Sequence, residues 1–399
     1  MHPSLFEAYL ERRDRALADT VRAAAARIPA FQDRLSAAGI DADAVQRSAD
    51  LDRLPIFTKD QLLDAQRAAP PFGGLLAADA EPARLFCSPG PLYEPQPSGS
   101  DPWRWREALR AAGIRRRTRV LNCFSYHLSP AGAMIDEACR ALGASVVPAG
   151  VGNLELTLQA AADLDLQAYV GLPSYLKALV DRAGERRVAW PIRRALVTGE
   201  PLPASLRAEL APHVPWLLQA YGTAELGLLG YETEPESGLE IPDGVLVQVC
   251  DLDTGAPRYD GELGQVVVTL LRSDVALLRF GTGDLSAWQA SPSGTPRLRG
   301  ILGRIGEAIK VRGMFLHPRQ AAAVLSGVPQ LASHRFVVSR ADHQDQLRCE
   351  LVAQPGASDA ELASLVRERI RSGLRLSADV VCVPELPPGP EVVDERDWS

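Results

Sequence analysis

Short β-prone runs alternate with helical patterns through residues 119–221, and this alternation limits the choice of fold more than any other feature of the chain. Two parallel strands need a long crossover between them, and strand–helix–strand crossovers are right-handed. The region therefore predicts an α/β fold, a mostly parallel sheet covered by helices. The predicted strands are 119–124, 144–148, 168–171, 195–199 and 216–221, with helices over 132–142, 156–162 and 174–183.

Beyond Gly230 the pattern changes to strands separated by turn signals. We expect a β-rich subdomain, followed from residue 303 by a small α+β unit. The predicted domains are an N-terminal domain over 1–303, β-rich from about 240, and a C-terminal domain over 304–399. The predicted elements are a first helix over 6–28, strands 245–249, 264–271 and 276–280, a helix over 318–325, strands 335–339 and 347–353, a helix over 359–374 and a strand over 379–383.

Composition excludes several classes of protein. The net charge is 43 − 50 = −7, which argues against nucleic acid or an anionic membrane as the main partner. No apolar run approaches the roughly 18 residues of a membrane span, and acids in the first eleven residues argue against a signal peptide. Six scattered cysteines without a Cys-x-x-Cys pair indicate neither a zinc knuckle nor a disulfide framework. We therefore expect a cytoplasmic protein.

Lysine is rare in this chain. Lys59, Lys177 and Lys310 are the only three among 43 basic residues. Arginine richness of this kind is typical of a GC-rich genome. It still makes each lysine position informative, because any lysine chemistry must come from these three.

Three glycine-containing motifs follow predicted strands. Tyr221-Gly222-Thr223-Ala224-Glu225 follows the strand that begins at Trp216, and ligands of open α/β sheets bind beyond the carboxyl ends of strands. A threonine hydroxyl beside backbone N–H groups suits phosphate, and a nearby carboxylate suits Mg²⁺. The other two motifs are 279–284, Arg-Phe-Gly-Thr-Gly-Asp, and 303–313, which contains Lys310. Taken singly, the first is also consistent with an ordinary tight turn, the second with a plain β-turn, and the third with a basic interdomain linker whose charged face is solvated.

In this order and spacing, the three motifs together resemble the adenylate-forming superfamily of acyl-CoA synthetases, and within it the phenylacetate–CoA ligase family. The resemblance runs nearly end to end. Further matching segments are 54–62, 143–153, 172–176 and 199–201. It implies a large N-terminal adenylate-forming domain and a small, mobile C-terminal domain that rotates about a hinge near Gly306.

The resemblance implies a two-step reaction, in which ATP activates a small carboxylic acid, an aryl acid being favoured, and CoA then accepts the acyl group. ATP or AMP, Mg²⁺ and CoA are the implied cofactors. The implied catalytic residues are Thr223, which would contact phosphate, Glu225, which would bind Mg²⁺, and Lys310. The implied nucleotide and CoA residues are Gly199, Glu200, Pro201 and Tyr221 around the adenine, Gly222 as a further cofactor-binding residue, Asp284 and Arg304 at the ribose, and Gly313 at the thiol tunnel.

The acyl pocket is expected at the ends of the central strands. Aromatic walls suit a planar aryl acid. His127 has an equally good interpretation as a hydrogen-bonded structural histidine. The candidate walls are Phe124, Tyr126, His127, Pro173, Ser174, Tyr175 and Ala220.

Several positions depart from the family pattern. The phosphate loop, 87–95, carries prolines, which donate no N–H, and adds only negative charge. Pro390 stands where the family has its C-terminal catalytic lysine, and Gly306 stands at the hinge where an acid is usual. The family's zinc-binding positions are missing, so no structural zinc is expected.

These departures leave three hypotheses open. The first is a slow or specialised carboxylate–CoA ligase, and the second is an enzyme that only transfers an acyl group from an adenylate to a thiol or other acceptor. The third is a non-catalytic protein that binds AMP or an acyl-adenylate. A homodimer is also left open.

Overall fold

The computed structural model describes residues 4–88, 92–291, 294–305, 309–311, 314–316, 318–341, 344–374 and 376–396. It divides the chain into two compact units, residues 1–301 and 302–399. Among the described residues no helix is both long enough and apolar enough to cross a membrane.

The larger unit begins with helices and a short hairpin. Pro29 occupies the first turn of the second helix, where its missing N–H costs nothing, so it starts that helix as well as ending the first. Thr58 caps the third helix in a capping box with Gln61. The elements are α1 (Ser4–Arg27), α2 (Pro29–Ala37), 3₁₀ turns at Ala42–Ala44 and Ser48–Leu51, α3 (Lys59–Ala68), and the antiparallel strands β1 (Leu85–Ser88) and β2 (Leu92–Pro95).

The predicted parallel sheet is present. Its elements in chain order are α4 (Trp105–Ala111), β3 (Arg119–Asn122), α5 (Ala131–Ala141), β4 (Ser145–Pro148), α6 (Leu154–Asp163), β5 (Ala168–Gly171), α7 (Pro173–Arg186), β6 (Arg194–Val197), α8 (Ala204–Leu210), β7 (Trp216–Thr223) and β8 (Gly227–Tyr231). The strand order is β4-β3-β5-β6-β7-β8, parallel from β4 to β7, with β8 antiparallel to β7.

Successive residues of these strands enter two different hydrophobic cores. Val120 and Val170 belong to one cluster, whereas their neighbours Leu121 and Tyr169 belong to the other. Side chains alternate between the faces of a strand, so the sheet is buried on both faces. This explains the near-continuous apolar runs in the sequence and confirms the α/β expectation.

The β-rich part packs against α1. Its strands are β9 (Val245–Cys250), β10 (Gly264–Leu270), β11 (Phe280–Ser286), β12 (Trp288–Ala290) and β13 (Pro296–Leu298), with β9, β10 and β11 adjacent and antiparallel. The Tyr9 hydroxyl fixes α1 to this sheet by donating to the Val247 carbonyl at 2.8 Å and accepting the Val247 N–H at 3.0 Å.

One predicted strand in this unit is wrong in position, and another is two residues longer than predicted. The expected strand over 276–280 lies instead at Phe280–Ser286, so Gly281-Thr-Gly-Asp284 is a strand rather than a turn. A side chain on Gly281 would lie 2.8 Å from Ile56, so glycine is needed here for close packing within an irregular ladder. Likewise β7 continues through Tyr221-Gly222-Thr223, which pair with β8 in a hairpin.

The smaller unit is α+β. It comprises β14 (Gly303–Arg304), β15 (Ile309–Val311), β16 (Met314–Leu316), α9 (Pro318–Leu325), β17 (Leu331–Ala341), β18 (Gln344–Ala353), α10 (Asp359–Leu374), β19 (Asp379–Cys382) and β20 (Val392–Asp394). The main sheet has the order β19-β18-β17-β20, and both helices match their predicted bounds. Gly306, the predicted hinge, lies outside the described residues, and rotation of this unit stays a prediction.

Candidate active site

The predicted site residues of the larger unit cluster by topology. Apart from Asp284, which lies in β11 of another sheet, they follow or end the adjacent strands β3, β5, β6 and β7, whose carboxyl ends share one edge of the sheet. Phe124, Tyr126 and His127 follow β3; Pro173, Ser174 and Tyr175 follow β5; Gly199, Glu200 and Pro201 follow β6; Ala220, Tyr221, Gly222 and Thr223 end β7, and Glu225 follows it.

Gly199 has little room around it. Its φ is +85°, and a Cβ there would lie 3.0 Å from Leu172 Cδ2 and 3.7 Å from the Phe124 ring. Its neighbour Glu200 accepts the backbone N–H of Ser174 at 3.3 Å. These contacts join the loops after β3, β5 and β6 into one wall.

The remaining candidates for the acyl pocket differ in exposure. Ala220 is buried, whereas Tyr126 is 42% exposed and accepts the Asn122 side-chain amide at 2.7 Å. His127 is exposed, and its backbone N–H donates to the Ser125 hydroxyl at 3.2 Å. The Tyr175 hydroxyl is buried without a hydrogen bond in the described part of the chain. Their assignment to the acyl pocket remains a prediction.

A buried hydrogen bond joins the first two motifs. The Tyr221 hydroxyl donates to Asp284 Oδ2 at 2.8 Å. Burial, and secondarily the Asp284 charge, raises the pKa of Tyr221, which keeps this hydroxyl protonated as a donor. The Thr282 hydroxyl accepts the Asp284 backbone N–H at 3.1 Å, which holds the backbone at this residue, while the Tyr221 hydroxyl orients the carboxylate.

Glu225 forms an ion pair with Lys59, which is far from it in the sequence. Its side chain is 5% exposed, and Lys59 Nζ, at the start of α3, lies 2.7 Å from its Oε1. The Thr223 hydroxyl accepts the Leu226 N–H at 3.2 Å, which closes the turn that presents Glu225. The sequence analysis names Lys59 as one of only three lysines but predicts no role for it. That scarcity of lysine was the one sequence signal that pointed to this residue.

Glu94 lies on β2, within the phosphate loop, and the charges of Glu225 and Lys59 both act on it. Burial raises the pKa of Glu94 to about 7; the Glu225 charge acts in the same direction, and the Lys59 charge acts against it. Residues 89–91 of the loop lie outside the described part of the chain. The negative charge that the sequence added to this loop is therefore a buried carboxyl.

The donor set at this edge fits Mg²⁺ better than a softer metal. No group of three or more His, Cys, Asp or Glu side chains is placed to hold a metal among the described residues. Mg²⁺ typically takes one or two carboxylates and completes its shell with water and substrate phosphates. Glu225 offers such a carboxylate, with the Thr223 hydroxyl two residues away.

The site candidates beyond residue 301 belong to the smaller unit. Arg304 lies in β14 and is exposed. Lys310 lies in β15, but the placement of its side chain is outside the description, as is Gly313 altogether. Pro390 is an exposed loop residue before β20.

This fold is that of the adenylate-forming CoA ligases. A solved 2-hydroxyisobutyryl-CoA ligase, in an open conformation with 2-HIB-AMP and CoA, superposes with a TM-score of 0.80 at 22% identity, covering 95% of this chain and 90% of that one. The same ligase in its postadenylation state gives a TM-score of 0.71 at 22% identity, with 96% and 90% coverage.

Within that class, the chain is similar to the phenylacetate–CoA ligases, as its motifs predict. It is 28% identical to the phenylacetate–coenzyme A ligase of Thermus thermophilus, over 91% of this chain and 89% of that protein. It is 24% identical to that of Escherichia coli K12, over 91% and 88%. No protein-family profile matches the chain. The resemblance given by the motifs is confirmed nearly end to end.

Proposed function

We propose that the protein activates a small carboxylic acid with ATP and transfers the acyl group to CoA. In the first step the carboxylate attacks the α-phosphorus of ATP, giving an acyl-adenylate and pyrophosphate. In the second step the CoA thiol attacks the acyl carbonyl, giving a thioester and AMP. The observation that supports this best is the Tyr221–Asp284 hydrogen bond, because it joins two separate family motifs at the edge where α/β sheets bind ligands.

The proposed roles follow from geometry and charge. Asp284, held by Tyr221 and Thr282, presents a fixed carboxylate to the two ribose hydroxyls. Glu225 would hold Mg²⁺, which neutralises phosphate charge when bound. Lys59 supplies a positive charge that the altered phosphate loop lacks. The contribution of these residues is mainly positioning and charge compensation.

The finer assignments are part of the proposal. The Gly199–Phe124 wall favours a planar acid, and hence an aryl substrate. Arg304 is assigned to the ribose, Gly313 to the thiol tunnel and Lys310 to catalysis. Mg²⁺ as the metal and a homodimer are further predictions.

Pyrophosphate release with Mg-ATP tests the proposal, across a panel of aryl and short aliphatic acids, with and without CoA. We expect release that depends on one class of acid. Glu225→Gln should abolish it, whereas Glu240→Gln, which changes a glutamate paired with Arg297 on the β-rich side, should not. If no acid of the panel gives pyrophosphate release, while calorimetry still detects AMP binding, ATP-dependent activation is contradicted.

A second candidate function has its own observation. The phosphate loop contains a buried carboxyl, that of Glu94, which is 6% exposed, and it contains no lysine or arginine. Such a loop would hold pyrophosphate poorly, which favours an enzyme that only transfers an acyl group from a supplied adenylate. Consumption of a synthetic acyl-adenylate by CoA, without any pyrophosphate release from ATP, would support this candidate over the first.

A further inference from the structure

Arg279, the first residue of the second motif, has a strained backbone. Its φ is +47°, in the left-handed region, and the residue is 2% exposed. A residue with a Cβ rarely adopts this conformation, which persists only where the surrounding structure holds it. Residues held in this way concentrate at functional sites. Arg279 directly precedes β11, the strand that carries Asp284.

Hydrogen bonds from both the backbone and the side chain hold Arg279 in this conformation. Its N–H donates to the Thr269 hydroxyl of β10 at 2.9 Å, and its carbonyl accepts the Phe57 N–H at 2.8 Å. Its guanidinium donates to the Gly255 carbonyl at 2.7 Å and to Asp52 Oδ1 at 3.3 Å. The residue is therefore anchored to β10, to the segment before α3 and to the turn after β9.

The strand that follows Arg279 contains a bulge. Its pairing with β10 is regular on either side of Val266, but three residues of β11, 282–284, lie opposite this single residue. Gly283 has a φ of +78°, and the Thr282 hydroxyl donates to the Val266 carbonyl at 3.0 Å. Bulges redirect side chains and are common beside active sites. Asp284, the last residue of this bulge, is the one assigned to the ribose.

The part of β11 before the bulge is short. Between Arg279 and the bulge, two residues of β11, Phe280 and Gly281, pair with β10. Phe57 bonds to the residues on both sides of Phe280, because its N–H donates to the Arg279 carbonyl and its own carbonyl accepts the Gly281 N–H at 2.9 Å. The direction in which the bulge presents Asp284 therefore depends on where Arg279 and Phe57 hold this short flank.

We propose that Arg279 is a positioning residue for recognition of the ribose. Its guanidinium holds the strand before the bulge, so that Asp284 presents its carboxylate to both ribose hydroxyls. Arg279 acts through Asp284 and does not itself contact the nucleotide. The inference rests on the assignment of Asp284 to the ribose in the proposed function.

Calorimetric titration of the full chain with AMP and with 2′,3′-dideoxy-AMP tests the proposal. The two nucleotides share the base and the phosphate, and only AMP carries the hydroxyls that Asp284 would accept. We expect the unsubstituted protein to bind AMP more tightly by about tenfold or more, because a site that hydrogen-bonds a hydroxyl discriminates against an analogue that lacks it.

Arg279→Met keeps an unbranched side chain of similar length and removes both guanidinium bonds. The backbone then loses the anchor that offsets its strain, so the preference for AMP over dideoxy-AMP should disappear. The affinity for dideoxy-AMP should stay unchanged. Asp52→Asn is the milder variant, since it changes only the partner carboxylate, whose side chain is 37% exposed. It should reduce the same preference by a smaller factor.

Arg13→Met is the matched control. Arg13 is also a buried arginine, 5% exposed, and its guanidinium donates to the Val245 carbonyl at 2.9 Å and to the Ile241 carbonyl at 3.1 Å, which holds α1 to the β-rich part. A general loss of packing weakens the binding of both nucleotides by the same factor. We therefore expect Arg13→Met to keep the preference for AMP, whatever stability it loses in urea unfolding.

The outcomes separate this inference from the proposed function. Equal binding of the two nucleotides by the unsubstituted protein would overturn the assignment of Asp284 to the ribose, and the inference with it. A preference for AMP that survives in Arg279→Met, or that Arg13→Met reduces equally, would overturn the role of Arg279 alone. Should Arg279→Met fail to fold, an unchanged preference in Asp52→Asn would overturn it instead.

Discussion

Replacing Tyr221 by phenylalanine tests whether the hydroxyl bond to Asp284 holds the site together. The change keeps the ring of this residue, which is 7% exposed as a whole, and removes one oxygen 2.8 Å from Asp284 Oδ2. A hydrogen bond to a charged group contributes about 1.5–3 kcal/mol. Because the lost partner also leaves a buried carboxylate less well satisfied, we expect the free energy of unfolding to fall by about that amount. Urea denaturation followed by tryptophan fluorescence measures it.

AMP affinity supplies a second readout from the same variant. If Asp284 holds the ribose, loss of its orienting hydroxyl should weaken AMP binding by about tenfold, a difference of about 1.4 kcal/mol. Tyr231→Phe is the matched control, since its hydroxyl contacts Glu107 Oε2 at 3.4 Å, a longer contact away from the ribose residues. The reasoning is refuted if Tyr221→Phe changes neither stability nor AMP affinity more than Tyr231→Phe does.

Three other substitutions probe single interactions. Burial raises the pKa of Glu94 from 4.5 to about 7, so the folded state binds the proton more tightly than the unfolded state. The free energy of unfolding should therefore fall by up to about 3 kcal/mol as pH rises from about 4.5 to 7. Glu94→Gln should flatten this pH dependence in urea unfolding measured at several pH values. Arg207 Nη2 lies 2.8 Å from the Glu232 carboxylate, and both side chains are buried. Arg207→Met should lower the free energy of unfolding in urea by about 3–5 kcal/mol, because it leaves Glu232 charged and buried without its partner. Adding Glu232→Gln should recover part of the loss, and no recovery would rule out the charge as the cause. Pro390→Lys should raise the rate of pyrophosphate release if the missing lysine limits adenylation. An unchanged rate would mean either that the alignment with the family is wrong at this position or that the phosphate loop limits the rate.

Local sequence signals predicted most elements well and misplaced those that depend on packing. The helices α9 and α10 match their predicted bounds because amphipathic periodicity and helix-end signals are local properties. The strand expected over 276–280 is displaced because glycines 281 and 283 look like a turn in sequence. The close approach of the Gln265 and Ile56 side chains to Gly281 explains why the strand needs glycine there.

The site shows the same division. The motif order identified the family and named Tyr221, Glu225 and Asp284, but it did not say which of them touch. It noted Glu94 only as an added negative charge and left Lys59 without a role. Neither contact has a local signature, since Lys59 meets Glu225, and Tyr221 meets Asp284, across long stretches of chain.

The sequence by itself determined the architecture and the family resemblance. Strand–helix alternation leaves a buried parallel sheet as the stable arrangement, and the glycine motifs fix where its functional edge lies. Only the tertiary structure decided the electrostatics: that Lys59 neutralises Glu225, that Glu94 is buried, and that the charges of Glu225 and Lys59 act on it. Burial and the distance between charges set these interactions, and both depend on how elements remote in the chain pack together.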